Sequence, residues 1–163
     1  MNIITFDTPS GTLAVGAYSG MLKICDWIHS PHFKSHLYTL KNLKLDREYT
    51  LKVIAQIKEY FSGQRNHFDV NIAPEGTDFR LKVWNVLLSV EFGSTASYSD
   101  IATKIGNKSA VRAVANAIAH NPISIVIPCH RIIGSNGSIT GYAGGIDCKR
   151  ILLTLENPDF RVK

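Results

Sequence analysis

The chain predicts an α+β fold in two parts: residues 1–75 built on a small antiparallel sheet, and residues 76–163 made mainly of helices. Short β-prone runs broken by turn residues fill the first 27 positions, helix-period apolar stripes with capping residues follow from Asp46, and a break containing Pro74 and Gly76 separates the halves at Ala73 to Thr77. With 163 residues, 45% hydrophobic and 19% charged, the chain can bury a real core, which excludes disorder. No apolar run approaches the roughly 20 residues of a spanning helix, and Met1 to Phe6 lacks the pattern of a secretory leader, so a cytoplasmic protein is expected.

Asn2 to Phe6, Thr12 to Ala17 and Met21 to Trp27 are the strand candidates, joined by Thr8-Pro9-Ser10-Gly11 and Ser19-Gly20 as a meander. His29, His32 and His36 lie near Cys25, but their spacing fits no metal-ligand pattern, and the stretch reads as an irregular solvated loop. Asp46 to Phe61 predicts a helix with Leu51, Ile54, Ile57 and Phe61 as its inner stripe, and Phe68 to Ile72 a short strand.

In the second half, Thr77 caps a helix from Asp78 to about Val90, with Phe79, Val83, Trp84, Leu87 and Leu88 facing inward. Ser97 and Asp100 have capping-box spacing and open a short helix to about Ile105. Gly106-Asn107-Lys108 makes a turn, Ser109 offers a cap, and Ala110 to about His120 forms another helix. Two short helices around a glycine turn describe a helix-turn-helix. The second is rich in alanine, and Lys104, Lys108 and Arg112 lend positive charge beside it. DNA binding and an alanine-rich core helix with an incidental arginine both fit, and the net charge of +5 raises the expectation of a polyanionic partner. Asp147 starts a last helix, Cys148 to Leu155, with Ile151, Leu152 and Leu155 inward and Glu156 at its end.

The chemistry gathers where the aliphatic, strand-like run Ile123 to Ile127 enters Pro128-Cys129-His130-Arg131. A thiol beside an imidazole supplies a nucleophile and a base. Glu156, unfavourable at a helix C-terminus, needs a cationic partner or solvent, and His130 is a candidate; a carboxylate on one ring nitrogen would leave the other free to draw a proton from Cys129, directly or through water. A buried structural cysteine and a solvated Glu156 satisfy the same residues. Gly134 to Gly145 holds five glycines in twelve residues around Tyr142, a composition suited to a loop whose backbone approaches a ligand. The three cysteines match neither a disulfide framework nor a zinc site, so a reducing compartment without metal is expected.

IPCHR at Ile127 to Arg131, FGSTASYSDIA at Phe92 to Ala102, AVRAVANA at Ala110 to Ala117, Asn121-Pro122, GYAGG at Gly141 to Gly145 and LLTLE ending in Glu156 together resemble the O6-alkylguanine-DNA alkyltransferase family. The likeness is close over residues 77–156 and looser in the first half. It implies an N-terminal half of ribonuclease-H-like character and a helix-turn-helix that enters the minor groove of double-stranded DNA containing O6-alkylguanine. Further, it implies that Cys129 accepts the alkyl group, that His130 is the base reached through water, and that Glu156 orients His130. Tyr98 would hold guanine and help protonate it, Asn121 would brace the turn, and Tyr142 with the Ala143 backbone would line the pocket. Arg112 would fill the space left by the flipped nucleotide, with Ala110 and Ala113 against the groove and Ser99, Asn107 and Ser135 near phosphates. No cofactor is implied, and a monomer is expected. A cysteine hydrolase using Cys129, His130 and Glu156, or a DNA-binding regulator with a structural Cys129, are the competing readings.

Overall fold

The computed structural model describes residues 3–162. Strands β1 (Ile4–Thr8), β2 (Gly11–Tyr18) and β3 (Met21–Trp27) form an antiparallel sheet in that order, with Phe6 opposite Leu13 and Val15 opposite Cys25. Of the first expected strand, Asn2 lies outside the described residues. Ser19 and Gly20 turn β2 into β3 with φ of 52° and 70°, the left-handed pair a two-residue hairpin requires. The register shifts between Gly16 and Ala17, and there the Ala17 amide turns to the Thr50 hydroxyl at 3.0 Å.

Helix α2 (Arg47–Phe61) begins where the Asp46 carboxylate accepts from the Tyr49 amide, and its other oxygen accepts from Gly20. Its inner face is Thr50, Val53, Ile54, Ile57 and Tyr60; Ile54 and Ile57 face inward as expected, but Thr50 and Tyr60 are buried in place of Leu51, which is 46% exposed, and Phe61, which is half-buried. Thr50 is drawn inward because its hydroxyl serves the bulged strand and the Asp46 carbonyl together. The histidine-bearing segment is not an irregular loop: Phe33–Thr39 forms a short helix, α1, tied down by a His36 Nδ1 to Asp26 Oδ2 contact of 2.8 Å. The expected strand at Phe68 to Ile72 shrinks to one parallel bridge between Ile72 and Leu22.

Helix α3 (Asp78–Leu87) starts at its Thr77 cap and ends earlier than expected; Val83, Trp84 and Leu87 are buried, whereas Leu88 lies beyond the helix and is exposed. Strand β4 (Ala96–Ser97) pairs in parallel with β5 (Ile132–Ile133), and helix α4 (Tyr98–Lys104) follows with the Ser97–Asp100 capping box fully formed. A turn at Gly106, φ 82°, leads to α5 (Val111–Ala119). Ser109 does not cap α5, because its hydroxyl donates to Asn107 Oδ1 and Ala110 takes the cap position.

The aliphatic run Ile123 to Ile127 is not a strand. Ile123 makes a single bridge to Cys25, Ile125 takes a φ of 72°, and every residue from Asn121 to Ile132 is buried. Its apolar character reflects an irregular segment threaded through the core, and a left-handed β-branched residue is a strained conformation that only tight surroundings hold. The run ends in a single 3-10 turn, Cys129–Arg131. Helix α6 (Ile146–Glu156) closes the fold; its inner face carries Cys148, Lys149, Leu152, Leu153 and Glu156, and Ile151 points outward at 40% exposure. Two polar groups thus displace the expected stripe. The main apolar core runs through both halves, from Leu13, Val15 and Cys25 in the sheet to Trp84, Ile127 and Leu152, and a smaller cluster of Tyr18, Ile24 and Leu40 packs α1 on the sheet. Among the described residues no helix is long and apolar enough to cross a membrane.

Candidate active site

The 3-10 turn is held from behind by Asn121. Its Oδ1 accepts from the Ile123 amide at 2.9 Å, which orients the amide group so that Nδ2 faces the Ile127 carbonyl at 3.0 Å and the Cys129 sulfur at 3.1 Å. A side chain that closes the turn and touches the thiol in one step explains why Asn121 directly precedes the buried run.

Cys129 is 4% exposed, and burial pushes its thiol up to about 11, with the Asn121 hydrogen bond and the charge of Lys149 pulling the other way. At neutral pH the resting group is a thiol, so attack by sulfur needs a base.

His130 is the next residue of the turn. Its Nε2 meets Glu156 Oε1 at 2.6 Å, while Nδ1 is buried and takes no hydrogen bond from any described residue. Burial lowers the affinity of the ring for a second proton despite the neighbouring carboxylate, so the imidazole is neutral. With Nε2–H donating to the carboxylate, the lone pair lies on Nδ1, the geometry of a base with one free nitrogen.

Glu156 has more partners than spacing alone suggested. Tyr60 donates to Oε1 at 2.8 Å, Arg131 Nε donates to Oε2 at 2.8 Å and its Nη2 to Oε1 at 3.0 Å. Burial alone would raise this carboxyl; the bonds and charges of His130 and Arg131 overcome it and hold it down to about 2. Charge from one guanidinium balances one carboxylate, so the buried imidazole stays uncharged beside them.

Lys149 is the second cation that the sequence did not bring forward. It is fully buried, its Nζ donates to the Ile132 and Thr140 carbonyls, and burial depresses it to about 8, with Cys129 the group that opposes the fall. Its position in step with Leu152, Leu153 and Glu156 on one face of α6 was the available signal: a lysine on an apolar stripe.

Cys129, Asn121, Tyr142 and Ala143 line one cavity of about 220 Å³, together with Pro31, His32, Ile118, Ala119 and Gly141. Trp27 Nε1 donates to the Tyr142 hydroxyl at 3.2 Å, and a side chain on Gly144 would collide with Trp27 at 2.6 Å, so the glycine-rich loop packs flush on the end of β3. Tyr98 is not among the lining residues; it is half-buried on α4 and its hydroxyl accepts from Thr140 at 3.2 Å. Arg112 and Ala113 are exposed on α5, and Ala110 is half-buried at its start. Ser99 and Ser135 share a surface cleft between α4 and the glycine-rich loop, whereas Asn107 stands apart in the α4–α5 turn. Among the described residues no cluster of His, Cys, Asp or Glu is arranged to hold a metal ion.

A thiol facing a small cavity, with an amide on its sulfur and a carboxylate-bound neutral imidazole at the next position, defines a protein equipped for nucleophilic chemistry at sulfur. Residues 78–158 match the family model for the DNA-binding domain of 6-O-methylguanine DNA methyltransferase. The methylated-DNA–protein-cysteine methyltransferase of Methanosarcina acetivorans is 40% identical over 151 residues, 93% of this chain and 95% of that protein. The crystal structure of Mycobacterium tuberculosis OGT in complex with DNA superposes with a TM-score of 0.84 at 38% identity, covering 94% of this chain and 91% of that one. A second structure, M. tuberculosis O6-methylguanine methyltransferase, gives 0.84 at 37% identity over 99% and 96% of the two chains. The chain belongs to the methylated-DNA–protein-cysteine methyltransferase family, the O6-alkylguanine-DNA alkyltransferases.

Proposed function

We propose that this protein repairs DNA by taking an O6-alkylguanine out of the duplex and moving the alkyl group irreversibly to Cys129. The observation that carries this reading is the Cys129 sulfur in the wall of a small cavity, backed by the His130–Glu156 contact at 2.6 Å. A stacked guanine cannot bring its O6 substituent to a buried thiol, so the nucleotide has to be rotated out, at a cost of a few kcal/mol.

In the proposed reaction the Cys129 proton passes through water to Nδ1 of His130, and the imidazolium is stabilised by the Glu156 carboxylate. Sulfur attacks the alkyl carbon, the S–C bond forms as the C–O6 bond breaks, and the departing guanine anion takes a proton with help from Tyr98. Lys149, fully buried and in electrostatic reach of Cys129, favours the thiolate while it exists. The product thioether has no neighbour able to cleave it, so each chain acts once. Asn121 keeps the turn and sulfur in place, and Tyr142 with the Ala143 backbone receives the base.

Helices α4 and α5 would act as the helix-turn-helix, with α5 in the minor groove, Ala110 and Ala113 against its walls, and Arg112 filling the gap. Ser99, Asn107 and Ser135 would meet phosphates; Ser99 and Ser135 sharing one cleft supports this for that pair. The N-terminal half, of ribonuclease-H-like character, would serve as the scaffold, and the protein would work as a monomer. The test is a titration of the protein against duplex carrying radiolabelled O6-methylguanine. Transfer should stop at one methyl per chain, and continued turnover would return the hydrolase reading.

A further inference from the structure

We propose that His32, from the N-terminal half, sets the size of the alkyl group that the pocket accepts; the inference rests on the alkyltransferase reading above. The pocket has walls of different kinds. Cys129 is fixed by Asn121, and Tyr142 is fixed through its hydroxyl by Trp27. Ile118 and Ala119 belong to the end of α5, and Ile118 is part of the core. Gly141 and Ala143 flank Tyr142 and offer little side chain, which leaves the stretch Pro31-His32, from outside the acceptor half, between β3 and α1.

His32 is not a free side chain leaning over the opening. Its ring stacks on that of His120 with centroids 3.7 Å apart and planes at 26°. His120 is itself tied, with Nδ1 against the Asn116 carbonyl at 2.8 Å, and it follows α5 immediately before Asn121. His36, anchored on the buried Asp26, lies 6.2 Å from His32. The imidazole is therefore clamped between the N-terminal segment and the end of the helix proposed to bind DNA. Burial, then the neighbouring His120 and His36, lower the proton affinity of His32, which favours its uncharged ring in the wall.

A cavity of about 220 Å³ is below the roughly 300 Å³ at which pockets begin to take drug-sized ligands. A flipped guanine with a methyl group fills such a space, and a bulkier adduct has to displace a wall. The clamped imidazole is the one aromatic ring in the lining, besides Tyr142, that can be cut back, and it holds neither the sulfur nor the Tyr142 hydroxyl. Hydrophobic pockets discriminate by small steps in volume, of the order of ten-fold or more per group.

The experiment compares single-turnover rates on one duplex carrying either O6-methylguanine or O6-benzylguanine, read by intact-protein mass. His32→Ala should raise the benzyl-to-methyl rate ratio about ten-fold over the natural chain, and His32→Trp should lower it. His120→Ala, which removes the stacking support but no lining atom, should raise the ratio in the same direction and by less. A merely structural role would slow both substrates alike, so an unchanged ratio in His32→Ala and His32→Trp overturns the proposal. If the natural chain gains neither group on Cys129, the alkyltransferase reading fails and this inference falls with it.

Discussion

Among the described residues two histidines are gripped by buried carboxylates, and one of them has the surroundings of a base. His130 meets Glu156 at 2.6 Å and His36 meets Asp26 at 2.8 Å. The differences lie in what else touches each pair. Glu156 is also bound by Arg131 and Tyr60, and the His130 ring, at the position next to the thiol, keeps a buried Nδ1 that no described residue occupies. Asp26 is occupied by His36 and the Trp27 amide, and His36 sits on an exposed helix whose function is to seat α1 against the sheet. An imidazole with a carboxylate is thus a common structural tie; an unoccupied buried ring nitrogen, a thiol at the adjacent residue, and a cation to carry the carboxylate's charge equip it for chemistry.

Substitutions at the two pairs should separate them. The largest effect belongs to Cys129→Ser: transfer to the protein disappears by intact mass while binding to lesion duplex, followed by fluorescence anisotropy, persists. Glu156→Gln should follow, slowing single-turnover transfer by about a hundred-fold through the loss of imidazolium stabilisation. It should also cost about 3 kcal/mol in urea unfolding, because Arg131 is left buried without its counter-charge.

Acid should reproduce that loss in the natural chain. A carboxyl held at about 2 when folded and ionising near 4.5 when unfolded gives stability that is complete above pH 4.5 and is lost as pH falls toward 2. Unfolding curves between those values should steepen for the natural chain and flatten in Glu156→Gln.

Arg112→Ala should slow repair of duplex by about ten-fold while reaction with the free alkylated base stays within about two-fold, since only the duplex needs the vacated space filled. Equal losses on the two substrates would remove that role from Arg112. Asp26→Asn, at the other pair, should give the smallest change in chemistry, within about three-fold, with a stability cost of about 1–2 kcal/mol. A hundred-fold loss there would mean that the two pairs are not distinct.

The same contrast explains what the sequence made legible. Ser97 with Asp100, Thr77, and the Ser19-Gly20 turn are local devices whose residues state their geometry, and all three formed as read. The joining of His130 to Glu156 across 26 positions could be inferred because a carboxylate at a helix end lacks local support. Leu51 and Ile151 were misplaced because their faces are decided by distant partners: Thr50 serves a strand bulge, and Lys149 and Glu156 claim the inner side of α6, whereas Leu88 is exposed because α3 stops at Leu87. Likewise the run Ile123 to Ile127 is as aliphatic as a strand but lies in irregular backbone, since burial and not pairing selects its composition. Tyr60 and Arg131 carried no spacing signal toward Glu156, and α1 was hidden by the histidines and Pro31 around its start.

The most direct measurement is peptide mapping after the reduced protein has been incubated with excess duplex carrying O6-methylguanine. One added methyl on the peptide containing Cys129, with Cys25 and Cys148 unmodified and unalkylated guanine recovered in equal amount, is the predicted result. A methyl on either other cysteine, or restored guanine with unmodified Cys129, would contradict the assignment of the acceptor.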